Sequence, residues 1–290
     1  MLASALDLIK KAQKGHYAIG AFNTYNLEVT LGIIRAALLE RSPVVIQVSE
    51  NTIFYAGLRP IISIVKTIAA DEAGDVPVAL HLDHGKSFHT VVECINNGFS
   101  SIMIDASSYP LEENIRMTKE VVEYAHKKGA CVQGELGRVK KAEDYDLGNN
   151  VTLEEIGELM TKPDEVEKFV SETKVDSLAI SIGNAHGMDV PGLELDLERL
   201  RKIKKIVSIP LVLHGASGIA PDQIRNVIKE GITECNIDTE TQFAFTNMLK
   251  EILEENPHLL DPRKILAPCI DAVRAIVESK IELFGSGGKV

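Results

Sequence analysis

The sequence has no long uninterrupted apolar run. Its hydrophobic stretches are short and broken by charge, far below the roughly 20 residues a membrane-spanning helix needs. Positive charge is also scarce, with 31 Lys and Arg against 42 Asp and Glu, a net charge of −11. That balance argues against a generic nucleic-acid binder, because phosphate backbones require clustered Lys and Arg. It leaves room for small phosphorylated ligands, which backbone N–H groups hold locally. Only four cysteines occur, Cys94, Cys131, Cys235 and Cys269, and none forms a CxxC pair. Their isolated apolar settings read as reduced core thiols, not disulfides or metal ligands. No GxGxxG follows the first strand candidate, which weakens a dinucleotide-binding open sheet. No low-complexity linker or internal repeat appears. Met1 to Lys14 reads as an amphipathic helix with its lysines late, unlike a signal peptide, so the cytoplasm is the expected compartment.

What is present is an alternation. With 290 residues, 45% hydrophobic and 25% charged, the chain is an ordinary globular sequence able to bury a sizeable core. Strand candidates are Ala18–Asn23, Val44–Ser49, Val78–Asp83, Ser101–Asp105, Cys131–Glu135, Ser177–Ile182, Leu211–His214 and Glu234–Ile237. They are near-continuous apolar stretches, as in a parallel sheet covered on both faces. Helical patterns lie between them at Leu27–Glu40, Glu112–Lys128, Asp164–Thr173, Asp196–Val207, Pro221–Glu230 and Gln242–Glu255. Eight strand-then-helix repeats predict one (β/α)8 TIM barrel over residues 1–290, with a doubly wound open sheet as the main alternative. The long polar segment Gly137–Met160 is either a mobile lid or a solvated loop.

Every strand candidate delivers a polar residue at its C-terminal end: Asn23, Ser49, Asp83 with His84, Asp105, Glu135, His186 just after strand six, His214, and Asn236 with Asp238. In a barrel these ends converge on one mouth, where the chemistry sits. Three neutral imidazoles, His84, His186 and His214, suit a catalytic divalent ion with an open position, zinc first. They lie far apart in the chain, so spacing alone leaves the alternative of three loop histidines that form hydrogen bonds. His81, inside its strand, reads as a buried hydrogen-bonded residue. Gly187, the turn Gly215-Ala216-Ser217-Gly218 and the corner Asn236-Ile237-Asp238-Thr239 either expose backbone N–H groups to a phosphate or only permit tight turns.

These residues together resemble the class II, metal-dependent fructose-bisphosphate aldolase family, near its tagatose-bisphosphate branch. The resemblance spans the chain. It runs from Ala18-Ile19-Gly20-Ala21-Phe22-Asn23 through Leu82-Asp83-His84-Gly85, Ile104-Asp105-Ala106-Ser107, Gly134-Glu135-Leu136-Gly137 and Ala185-His186-Gly187. It closes with Leu213-His214-Gly215-Ala216-Ser217-Gly218, Asn236-Ile237-Asp238-Thr239-Glu240 and Asp261-Pro262-Arg263-Lys264. It implies zinc on His84, His186 and His214, with Asp105 and Glu135 supporting the metal or forming an alternative position. It implies Asp83 as the acid/base at the C4 hydroxyl and Glu143 as the base for the C–H proton of dihydroxyacetone phosphate. Asn23, Ser49, Gly187, Gly215, Ala216, Ser217, Asn236, Asp238 and Thr239 would contact substrate, with a monovalent cation near the phosphate.

The implied reaction is reversible cleavage of a ketose 1,6-bisphosphate, fructose 1,6-bisphosphate first. Tagatose 1,6-bisphosphate or another dihydroxyacetone-phosphate-dependent aldolase is the alternative. The negative charge left by retro-aldol cleavage suits a Lewis-acid metal. A sugar-phosphate substrate and a homodimer or homotetramer are the implied partners. A hydrolase on the same barrel would need a His-x-His pair where strand one ends in Asn23. A Schiff-base aldolase would need a lysine at a strand end, and Lys86 is only nearby. A non-catalytic sugar-phosphate sensor is the remaining alternative. The sequence departs from the family at Val139-Lys140-Lys141-Ala142-Glu143-Asp144, which lacks the usual Gly-Gly pair and one of two acids. It also departs at Asn184, where a small or hydroxyl residue is common.

Overall fold

The computed structural model describes residues 2–139, 157–187 and 194–290. Eight parallel strands close in sequence order into a barrel: β1 Ile19–Asn23, β2 Val44–Ser49, β3 Val78–Gly85, β4 Ser101–Ile104, β5 Cys131–Leu136, β6 Ser177–Ile180, β7 Leu211–Leu213 and β8 Ile232–Ile237. β1 pairs with both β2 and β8, which completes the circle. The predicted TIM barrel is the observed fold, and the open sheet is excluded.

The described helices begin with α1 Ala5–Gly15, α2 Leu27–Leu39, α3 Glu50–Ala56, α4 Leu58–Glu72 and α5 Phe88–Asn96. They continue with α6 Leu111–Lys127, α7 Pro163–Thr173, α8 Leu197–Ile206, α9 Pro221–Lys229, α10 Thr239–Glu255 and α11 Pro262–Phe284. Local chemistry sets their starts. The Asn26 side chain accepts from Val29 N–H before α2, and Asp196 does the same for Arg199 before α8, satisfying donors that have no intrahelical partner. Pro163 and Pro221 open α7 and α9, where a missing N–H costs nothing. No single described helix is long and apolar enough to cross a membrane.

Alternation along the strands sorts two layers. Phe22, Ile46, Leu80, Ile102, Val132, Leu178, Leu211 and Ile237 point outward into one core shared with the helices. Inside, Ile19, Ala21, Val45, Ala79 and Cys131 pack against Leu8 and Ala12 of α1. The first helix therefore plugs the N-terminal end of the barrel, and among the described residues the cavity lies at the C-terminal mouth. Between plug and mouth the interior is polar: Gln47, His81, Gln133 and Glu234 are all buried. The near-continuous apolar reading of the strands missed this layer, because flanking outward residues mask single inward polar ones. All four cysteines are free and buried, as expected.

Candidate active site and metal centre

The C-terminal mouth holds a cavity of about 420 Å³ lined by Asn23, Ser49, Asp83, His84, Asp105, His186, Gly187, Gly215, Ser217, Asn236, Asp238 and Thr239, among others. That volume is in the usual range for small-molecule sites. Twelve of the residues predicted from the sequence thus line one space, drawn from all parts of the chain.

At its floor His84, His186 and His214 bring one ligand nitrogen each to within 4.8 Å of one another. Each ring spends its other nitrogen on an acceptor. His84 Nδ1 meets Asp105 Oδ2 at 2.9 Å, His186 Nδ1 meets the Val139 carbonyl at 3.2 Å, and His214 Nε2 meets Gln133 Oε1 at 2.8 Å. Such partners fix ring orientation and tautomer, as around metal-bound histidines. The remaining nitrogens, His84 Nε2 and His214 Nδ1, face each other at 3.1 Å. Glu135 Oε2, fully enclosed, lies 3.1 Å from His214 Nδ1 and accepts no hydrogen bond. A buried carboxylate oxygen without a donor is costly, so a cation among these atoms fits the donor set. Burial alone would lower the pKa of His84, but Asp83, Asp105 and Glu135 together raise it to about 10. Burial, helped by the charges of His84 and His214, lowers His186 to about 4.

The backbone is strained at this point. His84 adopts φ 46°, a left-handed conformation costing a non-glycine residue about 1–3 kcal/mol. The register between β3 and β4 shifts between Leu82 and Gly85, and this irregularity turns Asp83 and His84 to the same mouth. Asp83 is buried. Its Oδ2 accepts from Asn23 Nδ2 at 2.8 Å, while Oδ1 has no partner. Burial would raise its pKa, yet the charges of His84 and His214 and the Asn23 hydrogen bond hold it below the usual carboxylate value.

The glycine turn after β7 is equally constrained. Gly215 has φ +59°, and a Cβ there would sit 2.2 Å from the Ala185 carbonyl oxygen. Only glycine fits. Glu240 anchors the turn from outside: its Oε1 accepts from Gly218 N–H at 3.0 Å and its carboxylate pairs with the largely buried Lys280 of α11.

One predicted role changes. Ala216 is fully buried, absent from the cavity lining, and its N–H donates to the Asn236 carbonyl at 3.2 Å, so it has no donor left for substrate. Glu135 is likewise enclosed and does not line the cavity; its Oε2 stands 3.1 Å from His214 Nδ1, in the supporting position expected of it. Asp105 lines the cavity but spends Oδ2 on His84 and Oδ1 on Ser107, a supporting arrangement. The unusual Asn184 is structural: its Oδ1 accepts from Ile182 N–H and its Nδ2 donates to the His214 carbonyl at 3.0 Å, tying the ends of β6 and β7 together. His81 is buried with Nδ1 2.7 Å from Ser101 Oγ, as expected. Glu143 and the altered stretch from Lys140 to Asp144 lie outside the described residues. Sequence reading missed Gln133, although it stands two positions before Glu135 on the same strand and so on the same inward face. It also missed Asn51, Ser108 and Arg138, which line the cavity with Lys86.

The sequence model of the family described as "Fructose-bisphosphate aldolase class-II" matches residues 3–289. The chain belongs to that family. Relatives include the fructose-bisphosphate aldolase of Geobacillus stearothermophilus, 43% identical over 99% of this chain and 98% of that one. The 6-phospho-5-dehydro-2-deoxy-D-gluconate aldolase of Bacillus subtilis (strain 168) is 41% identical over 99% of this chain and 96% of its own. Among solved structures, the YdjI aldolase from Escherichia coli K12 superposes with a TM-score of 0.86 at 35% identity, covering 100% of this chain and 99% of that one. As a class II aldolase the chain is a metal-dependent lyase, and the three histidines are the residues suited to its metal.

Proposed function

We propose that this class II aldolase uses zinc on His84, His186 and His214 to cleave a ketose 1,6-bisphosphate, fructose 1,6-bisphosphate first, into dihydroxyacetone phosphate and glyceraldehyde 3-phosphate. One observation carries the reading: Asp83 lines the cavity beside three converging imidazoles, and its Oδ1, 3.8 Å from His84 Nε2, accepts no hydrogen bond. When bound, the metal supplies a Lewis acid for the charge that develops on the dihydroxyacetone phosphate half. Asp83 takes the proton from the C4 hydroxyl as the C3–C4 bond breaks and the C4 carbonyl forms, and returns it in condensation. Asn23 holds the Asp83 carboxylate for that transfer. Glu143 is assigned the proton exchange at C3. Gly187, Gly215, Ser217, Asn236, Asp238 and Thr239 take the dihydroxyacetone phosphate half, with a monovalent cation beside its phosphate. Lys86 and Arg138, the cationic side chains in the described lining, take the distal phosphate, with Ser49 alongside.

A second reading keeps the dihydroxyacetone phosphate half and changes the aldehyde. The Bacillus subtilis relative, named for a different phosphorylated substrate at 41% identity, supports it. We place the chain, as a single barrel domain, in the cytoplasm with a small sugar phosphate as partner and neither nucleic acid nor membrane. We also assign it a homodimer or homotetramer, because Phe54, Phe243 and Leu260 expose most of their apolar side chains. The test is cleavage of fructose 1,6-bisphosphate, tagatose 1,6-bisphosphate and 6-phospho-5-dehydro-2-deoxy-D-gluconate, each with chelator and with zinc restored. Chelator-sensitive release of triose phosphate from the first supports the leading reading. Preference for either of the others moves the assignment to that substrate, and turnover of none with zinc bound moves it to another acceptor aldehyde or to a sensor.

A further inference from the structure

Beneath the three histidines, inside the barrel, a directed chain of hydrogen bonds runs from β8 to β7. Gln133 Nε2 donates to Glu234 Oε1 at 3.2 Å, and Gln133 Oε1 lies 2.8 Å from His214 Nε2. Gln133 is 1% exposed, Glu234 1% and His214 0%, so water does not compete for these groups. We propose that Glu234 and Gln133 are positioning residues that select the His214 tautomer able to bind metal.

The argument follows from donor and acceptor types. Above about pH 7 Glu234 is ionised, and a carboxylate accepts and does not donate, so it orients the Gln133 amide with its NH2 toward itself. The amide oxygen then faces His214 Nε2, which must carry the ring proton to make the bond. His214 Nδ1 is left with a lone pair, 3.1 Å from His84 Nε2 and 3.1 Å from Glu135 Oε2. His214 differs here from the other two ligands. His84 and His186 spend Nδ1 on Asp105 and the Val139 carbonyl and offer Nε2. His214 offers Nδ1, and its tautomer depends on a neutral amide that would satisfy either tautomer if it were free to flip. Glu234 removes that freedom. Without it, the amide NH2 could turn toward Nε2, move the ring proton to Nδ1 and aim a hydrogen at the metal position.

The inference rests on the three histidines being metal ligands, and the test separates the two. Metal-free full-length protein is titrated with Co2+ against a chromophoric chelator at about pH 8, where Glu234 is ionised, with circular dichroism and thermal melts run on the metal-free variants. Gln133→Met, which keeps length but loses the acceptor, should weaken Co2+ binding by about 10- to 100-fold. Glu234→Leu, which frees the amide, should also weaken it. The double exchange Q133E/E234Q keeps an acceptor for His214 Nε2 and a donor behind it, and should bind within about threefold of wild type. In 15N-labelled metal-free protein above neutral pH, Glu234→Leu should shift the His214 proton from Nε2 toward Nδ1, which a purely structural role would not do. Should Gln133→Met fail to fold, Glu234→Leu and the double exchange still decide. Folded Gln133→Met or Glu234→Leu binding Co2+ as tightly as wild type overturns the proposal, as does a double exchange that stays folded and binds as weakly as Glu234→Leu. Wild type that takes up no Co2+ overturns the metal reading itself.

Discussion

Asn23 at the end of β1 donates to Asp83 Oδ2 in β3 at 2.8 Å, and this one bond leaves Asp83 Oδ1 as the free carboxylate oxygen of the site. The two residues are 60 positions apart in the chain and meet only because the barrel brings successive strand ends to one mouth. The bond fixes the carboxylate plane, and with the neighbouring His84 and His214 charges it outweighs burial and holds the Asp83 pKa below the usual carboxylate value.

Asp83→Ala should therefore lower kcat by about 10²- to 10⁴-fold while metal content stays near that of wild type. Steady-state cleavage assays with parallel metal analysis read both. An active variant would remove Asp83 from the proton transfer.

Metal content should respond instead to the histidines and their supports. His84→Ala should lose the metal on dialysis. Asp105→Ala, which removes the acceptor at His84 Nδ1, should weaken metal affinity by about 10- to 100-fold without abolishing it. Chelator competition distinguishes the two.

Gly215→Ala should be poorly tolerated. The added methyl meets the Ala185 carbonyl oxygen in a left-handed turn, so a loss of about 2–4 kcal/mol is expected. Denaturant unfolding gives the stability. A raised KM in the surviving folded protein would report displacement of the turn proposed to hold phosphate.

Glu234 should make the metal-free protein sensitive to pH. Burial raises its pKa from 4.5 to about 7, against the opposing hydrogen bond from Gln133. Between those values the unfolded chain has released the proton and the folded chain retains it. Stability from this group is thus present below pH 4.5, declines as pH rises to about 7, and is level above. The loss is about 3 kcal/mol at 1.36 kcal/mol per unit. Glu234→Gln should remove it. The melting-temperature difference between variant and wild type should grow from pH 4.5 to 7 and then stop growing; a constant difference would contradict the shift.

The order of elements was open to reading from the sequence, because parallel strands buried on both faces leave dense Val, Ile and Leu runs. Edges moved where local geometry intervened. β3 runs on to Gly85 past the expected Asp83, through the register shift opposite β4, and β8 begins at Ile232 ahead of Glu234. Helices α3, α4, α5 and α11 were not singled out. In α3, Phe54 and Tyr55 face outward, so no apolar stripe marks it. α11 contains Pro268, which breaks the usual pattern.

The amino-acid sequence alone determined the barrel, the polar strand ends and the family, since each rests on local composition or contiguous motifs. Tertiary structure decided which of those polar residues face the cavity and which support it. Ala216 proved to be spent on Asn236, Glu135 to lie beside His214 and out of the cavity, and Gln133 to join Glu234 and His214 across separations of 101 and 81 residues. Such roles depend on which atom of a side chain is already satisfied. That is set by neighbours which only closure of the barrel brings into contact.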